Sequence, residues 1–218
     1  MLQWNKIYKK EGINCSHYNI LKPHEDIFKM SDFFKKQRVK KVLDLGCGAG
    51  RNLIYLSKKD FDVCGIDYAH EGLKIIKERL KKEKIKSNLK LGNIFNKLPY
   101  EDNFFDAVIS IQVLQHGKVN EIKGAIQEIR RILKPSGLIF VTLCGRISNG
   151  KVRDYLIKTA KKIAPRTYIP TMGNEKGLTH FIYNKKIIKK HYYNFRILKI
   201  WKDSRNYYCF IAQNKNKV

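Results

Sequence analysis

The 218-residue sequence predicts an α/β fold, a mostly parallel sheet with helices on both faces, and three observations predict it. From Lys41 to Leu143, short runs of branched apolar residues alternate with helical patterns, the rhythm of strand–helix–strand units. The run Phe105–Ile111 is largely apolar along its length, as a strand covered on both faces must be. Val42–Leu45 leads into Gly46-Cys47-Gly48-Ala49-Gly50, three glycines at alternate positions before an amphipathic stretch, which reads as strand, tight turn, helix. Glycine tolerates positive φ and leaves bare backbone for a ligand, so a nucleotide-type pocket is expected at the carboxyl end of this first strand.

Taken in order, residues 1–40 read as a helical cap. Trp4, Ile7 and Tyr8 share helical spacing, and Ile27, Met30, Phe33 and Phe34 form a second stripe beyond a loop-like segment at 14–19. Two roles fit this cap: a cover for the sheet edge, or a lid with Tyr8, His17 and Tyr18 turned toward a ligand. The core at 41–145 carries strands at Val42–Leu45, Val63–Ile66 (ended by Asp67), Leu89–Leu91, Phe105–Ile111 and Leu138–Leu143. Between them lie helices beginning at Leu53, over 70–84, and over Ile122–Leu133 with Ile122, Ile126, Ile129 and Leu133 at period 3.6. Pro135-Ser136-Gly137 reads as a turn. Residues 146–182 break the rhythm and read as a basic, polar insertion with a helical piece near Tyr155–Ile163. The stretch 183–218 closes with a lysine-rich helix over 184–193 and strands at Phe195–Trp201 and Tyr207–Ala212. Their short connection suits an antiparallel hairpin. Without internal repeats or low-complexity linkers, one domain is expected.

Composition narrows the classes. No apolar run approaches the roughly 18–20 residues that span a bilayer, and the first residues lack a secretory pattern, so a cytoplasmic protein with no membrane partner is expected. Five cysteines are scattered without a C-x-x-C pair, which argues against a zinc site or a disulfide framework and for buried thiols. Net charge is +26, and residues 151–218 hold 17 basic against 3 acidic groups. Such a surface can neutralise phosphates, but 35 lysines against 10 arginines also suits a plain solvated surface.

The stations after the glycine turn carry the chemistry. Asp67 ends the second strand, where a carboxylate can accept both hydroxyls of a ribose. Tyr68 follows and can lie against a purine, and Gly92-Asn93-Ile94 ends the third strand, where an amide and a backbone N–H can read the purine edge. Phe104-Phe105-Asp106-Ala107-Val108 enters the fourth strand, and Leu133-Lys134-Pro135-Ser136-Gly137 enters the fifth. In order and spacing, residues 41–145 resemble the class I S-adenosylmethionine-dependent methyltransferases, in particular the small tellurite-resistance and ubiquinone-biosynthesis types. Gly50-Arg51-Asn52 and Val113-Leu114-Gln115-His116 are local likenesses.

The resemblance implies a Rossmann-like three-layer sandwich whose seven strands run 3-2-1-4-5-7-6, with strand 7 antiparallel. It implies S-adenosyl-L-methionine as cofactor and S-adenosyl-L-homocysteine as product. Asp44, Gly46, Cys47 and Gly48 are then expected at the methionine end, Asp67 on the ribose, Tyr68 on adenine, Asn93 and Ile94 at its edge, and Gln112 near the methyl group. Asn93 departs from the family's usual Asp, and its carbonyl can still accept from an amino group. Methyl transfer is an in-line displacement that asks the protein chiefly for alignment, so a base is needed only for a protic acceptor. His116 and His180 are the candidates. The acceptor side is expected to involve Tyr8, Tyr18, His116, Arg146, Tyr168 and His180, whose basic, aromatic character suits a small anionic molecule. An RNA acceptor and a non-catalytic binding module stand as alternatives, and either a monomer or a homodimer is compatible with the sequence.

Overall fold

The computed structural model describes residues 2–12, 21–148, 151–152, 159–173 and 175–215. Along the chain run α1 (Leu2–Glu11), α2 (Ile27–Lys36), β1 (Lys41–Leu45), α3 (Arg51–Ser57), β2 (Asp62–Asp67), α4 (His70–Lys82), β3 (Asn88–Leu91) and β4 (Phe105–Ile111). A 3₁₀ turn at Leu114–His116 precedes α5 (Val119–Ile132) and β5 (Leu133–Leu143). Short strands follow: β6 (Ile147–Ser148), β7 (Lys151–Val152), β8 (Ala160–Ala164), β9 (Thr167–Pro170) and β10 (His180–Phe181). The described chain ends with α6 (Lys185–His191), β11 (Phe195–Lys202) and β12 (Tyr208–Asn214).

Seven strands make one sheet in the order β11-β12-β5-β4-β1-β2-β3. Strands β1 to β5 pair in parallel, while β12 is antiparallel to both β5 and β11. Counted along this sheet alone, the order is the expected 3-2-1-4-5-7-6. Residue parity divides the core, because successive side chains in a strand face opposite ways. Leu43, Val108, Ile139 and Val141 pack with Ile122, Ile126 and Ile129 of α5 on one face. Val42, Ala107, Ile109 and Phe140 pack with α2, α3 and α4 through Phe34, Leu53 and Ile76 on the other. Each helix has one apolar stripe, so two helical layers with the sheet between them bury every stripe.

The Pro135-Ser136-Gly137 turn is absorbed into β5. Phe105 pairs with Leu133 but Ala107 with Leu138, so residues 134–137 bulge out of the ladder, with Ser136 at φ 62°. Asp106 holds this bulge through Lys134 Nζ at 2.7 Å and accepts the backbone N–H groups of Lys40 and Lys41.

The helix expected near Tyr155–Ile163 is corrected over its last residues only. Residues 160–164 are the strand β8, paired with β9, which in turn pairs with β10 in a three-stranded antiparallel sheet; residues 153–158 lie outside the described residues. The lysine spacing imitated a polar helix face, whereas pairing with Tyr168 and Ile169 on β9 decides for strand. Among the described residues no helix is long and apolar enough to cross a membrane.

Candidate active site

A cavity of about 320 Å³ opens at the carboxyl ends of β1, β2 and β4. Its floor is the turn after β1. Gly46 and Gly48 both have positive φ, 80° and 52°, and a Cβ on Gly46 would lie 2.5 Å from the Val113 side chain, while one on Gly48 would strike the Tyr8 hydroxyl. Only glycine allows both the backbone conformation and this closeness. The N–H groups of Gly46 and Cys47 donate to the Ile66 carbonyl at 2.8 and 3.1 Å, which ties the turn to β2.

Asp67 completes that tie. Its Oδ2 accepts Gly48 N–H at 2.8 Å and its Oδ1 accepts Ala69 N–H at 2.8 Å. Burial raises the carboxyl's pKa, and the N–H groups of Ala69, Gly48 and Tyr68 oppose that rise. Three N–H groups thus share its two oxygens, and the carboxylate lines the cavity. Tyr68 stands beside it, its hydroxyl held by the Trp4 backbone N–H at the start of α1. Asn93 Oδ1 accepts the Phe95 N–H at 3.0 Å, so the carbonyl expected to read a ligand edge already shapes its own loop.

Gln112 follows β4 with φ 62°, an uncommon conformation for a residue with a side chain. Its N–H donates to Thr142 Oγ1 at 2.9 Å, and its buried side-chain Nε2 has no hydrogen-bond partner within the protein. Strained backbone and an orphaned donor at a cavity wall are marks of a ligand site.

Of the residues singled out in the sequence, Gly46, Cys47, Gly48, Asp67, Tyr68, Asn93, Ile94, Gln112, Tyr8 and His116 line this one cavity. Four others do not. Asp44, 2% exposed, sits behind the turn, where it accepts the Leu53 N–H; loss of water pushes its pKa up to about 7, against the pull of Arg51. Strand parity turns its side chain under the glycine loop instead of above it. Arg146 is exposed and not among the residues of the wall, and Tyr168, on β9 of the small sheet, packs with Tyr207 against Cys144 and Ile182. His180 is 2% exposed and stands one layer back, its ring edge-on to His116 with centroids 4.8 Å apart. Tyr18 and His17 lie outside the described residues. Cys47 is no thiolate, because burial, then the charges of Asp67 and Asp44, lift its pKa well above the ordinary value.

The cavity also uses residues the sequence did not single out for it. Trp4 joins Tyr8 in the part of the wall that α1 contributes, and Arg51 and Asn52 start α3 beside the turn. Their adjacency to the glycines was the available signal. Gly177, Leu178 and Thr179 close the far side, brought there by the pairing of β10 with β9, which no local pattern announces.

Residues 43–141 match the methyltransferase domain family. An uncharacterized protein of Methanocaldococcus jannaschii is 40% identical over 124 residues, 57% of this chain and 49% of that protein. A ubiquinone biosynthesis O-methyltransferase of Pelagibacter ubique is 28% identical over 136 residues, 60% of this chain and 55% of its own length. The chain thus spans about half the length of these curated relatives. Among solved structures, the PH0226 protein of Pyrococcus horikoshii superimposes with a TM-score of 0.70 at 23% identity, covering 95% of this chain and 96% of that one.

Proposed function

We propose that this chain, whose residues 43–141 match the methyltransferase domain family, is a class I S-adenosylmethionine-dependent methyltransferase that transfers a methyl group to a small, anionic molecule. One observation carries the reading. Asp67, the glycine turn, Tyr68 and the unpartnered Gln112 amide converge on one cavity at the carboxyl ends of parallel strands, the place where such sheets bind nucleotides. The residues fit the cofactor. Asp67 offers two carboxylate oxygens suited to ribose hydroxyls, Gly46 to Gly48 present bare backbone to the methionine part, and Gln112 supplies a desolvated donor.

S-adenosylmethionine, when bound, supplies a methyl group already activated on a sulfonium. The protein's part is to align the acceptor and keep water out. Trp4 and Tyr8 on one side and Gly177–Thr179 on another wall the cavity in, which favours a small acceptor. Arg51 and Lys118 in the wall favour a negatively charged one. The basic stretch at 151–218 supports RNA as the competing acceptor.

The test is a labelled-methyl assay with the full chain against cell extract divided into small-molecule, RNA and protein pools. Label is expected in the small-molecule pool. Label confined to RNA would transfer the reading to the basic surface, and no label in any pool would end it.

A further inference from the structure

We infer that His116 is a general base that takes a proton from the acceptor during methyl transfer, so the acceptor atom is a protic oxygen or nitrogen and not a thioether or an already aprotic carbon. This rests on the methyltransferase reading and names the acceptor chemistry of the same cavity. The geometry fixes the ring's role. His116 Nδ1 lies 3.1 Å from the Thr179 carbonyl oxygen. A carbonyl only accepts, so Nδ1 carries the hydrogen and the neutral ring keeps its lone pair on Nε2. The ring is clamped edge-on between Trp4, with centroids 5.6 Å apart, and His180, at 4.8 Å, and it lines the cavity just beyond Gln112. The Gln115 amide nitrogen stands 3.5 Å from Nε2, at the outer limit of a hydrogen bond.

A base must be neutral before the reaction and tolerable as a cation after it. Burial supplies the first property by holding the imidazole below its ordinary pKa of 6.5. The second comes from groups that pull the other way: the Glu175 carboxylate and the carbonyls of Thr179 and Gln112. Glu175 Oε2 also lies 3.4 Å from His180 Nε2, which places an anion behind the histidine pair. Lys118 and Glu121 at the start of α5 are the other charged groups on this side of the wall, and the Glu121 carboxylate accepts the Lys118 backbone N–H. His180 and Thr179 are positioning residues: one packs the ring, the other sets its tautomer.

The step balances. The acceptor heteroatom forms a bond to the methyl carbon, the carbon–sulfur bond breaks with its pair returning to sulfur, and the acceptor's proton passes to His116 Nε2 and then to water. The products are the methylated acceptor, S-adenosylhomocysteine and one proton.

The test uses the full chain, labelled S-adenosylmethionine and the small-molecule pool of a cell extract as acceptor, from pH 5 to 8. In the wild type the rate is expected to hold from pH 8 down past the ordinary imidazole value of 6.5 and to fall with acid only below it, by up to about tenfold per pH unit, as the base is protonated. His116→Asn keeps a donor for the Thr179 carbonyl but has no base. It is expected to lose about 100-fold in rate together with the acid limb, while binding S-adenosylhomocysteine within about twofold of wild type. The label should be recovered as an O-methyl or N-methyl group. His116→Asn with more than about a tenth of the wild-type rate and the same pH profile, or label recovered on sulfur or carbon, overturns the inference. Wild-type protein that transfers no methyl group overturns the parent reading, and the inference with it.

Discussion

Asp44 and Asp67 are two carboxylates on neighbouring strands with different duties, and their surroundings separate them. Asp67 accepts backbone N–H groups on both oxygens and lines the cavity. Asp44 is sealed beneath the turn, its Oδ2 without a hydrogen-bond partner, and takes the form of an acid with a pKa of about 7. The consequence for stability has a definite sign. The folded protein holds the Asp44 proton more tightly than the unfolded chain, whose carboxyl titrates near 3.8. Its contribution is therefore complete below about pH 4 and is lost as pH rises to about 7, with a total near 4 kcal/mol. Asp44→Asn removes this titration. Urea unfolding at pH 4 and pH 8 should show the variant gaining on the wild type by up to about that amount across the interval. A gap that does not change with pH would mean that Asp44 is ionised throughout.

At the scale of elements, α1 supplies part of the cavity wall through Trp4 and Tyr8. It docks on α4 through Asn5 Oδ1, which accepts the Glu71 N–H at 2.9 Å, and reaches Tyr68 with the Trp4 backbone. The cap thus brings Tyr8 to the cavity wall. The chain has only two tryptophans. Trp4 lines the cavity, while Trp201 stacks on Phe140 and donates to Asp26 Oδ2 at 3.0 Å, away from the wall. Titration with S-adenosylhomocysteine should change tryptophan emission in the wild type and in Trp201→Phe but not in Trp4→Phe. A signal that survives in Trp4→Phe would place the ligand elsewhere. The loop before α2 is fixed to the far end of the sheet by His24 Nε2, 3.1 Å from Asp203 Oδ2, and by His24 N–H donating to Asn52 Oδ1 at 2.9 Å. That second bond fastens α3, and with it the glycine turn, to the cap.

For the molecule as a whole, the sheet was legible because burial on two faces leaves long apolar runs, and because Gly46, Gly48 and Gly50 mark the strand–helix turn without ambiguity. The same double burial hid the orientation of Asp44: β1 is covered on both faces, so alternation could not tell which way the carboxylate points. The insertion was legible only as a break in rhythm. Its strands are set by pairing between residues far apart in the chain, and the contact of Thr179 with His116 spans 63 positions. Local patterns carry no trace of such a contact, so His116 and His180 could be named as candidates but not placed against each other.

The glycine turn, Asp67, Tyr68 and Gln112 line one cavity, and the most direct measurement is a calorimetric titration of the full chain with S-adenosylhomocysteine, repeated on Asp67→Ala. Saturable one-to-one binding is expected for the wild type, with affinity at least about tenfold weaker in the variant, a loss of about 1.4 kcal/mol or more. No heat of binding at millimolar ligand, or equal affinity in the two proteins, would contradict the account.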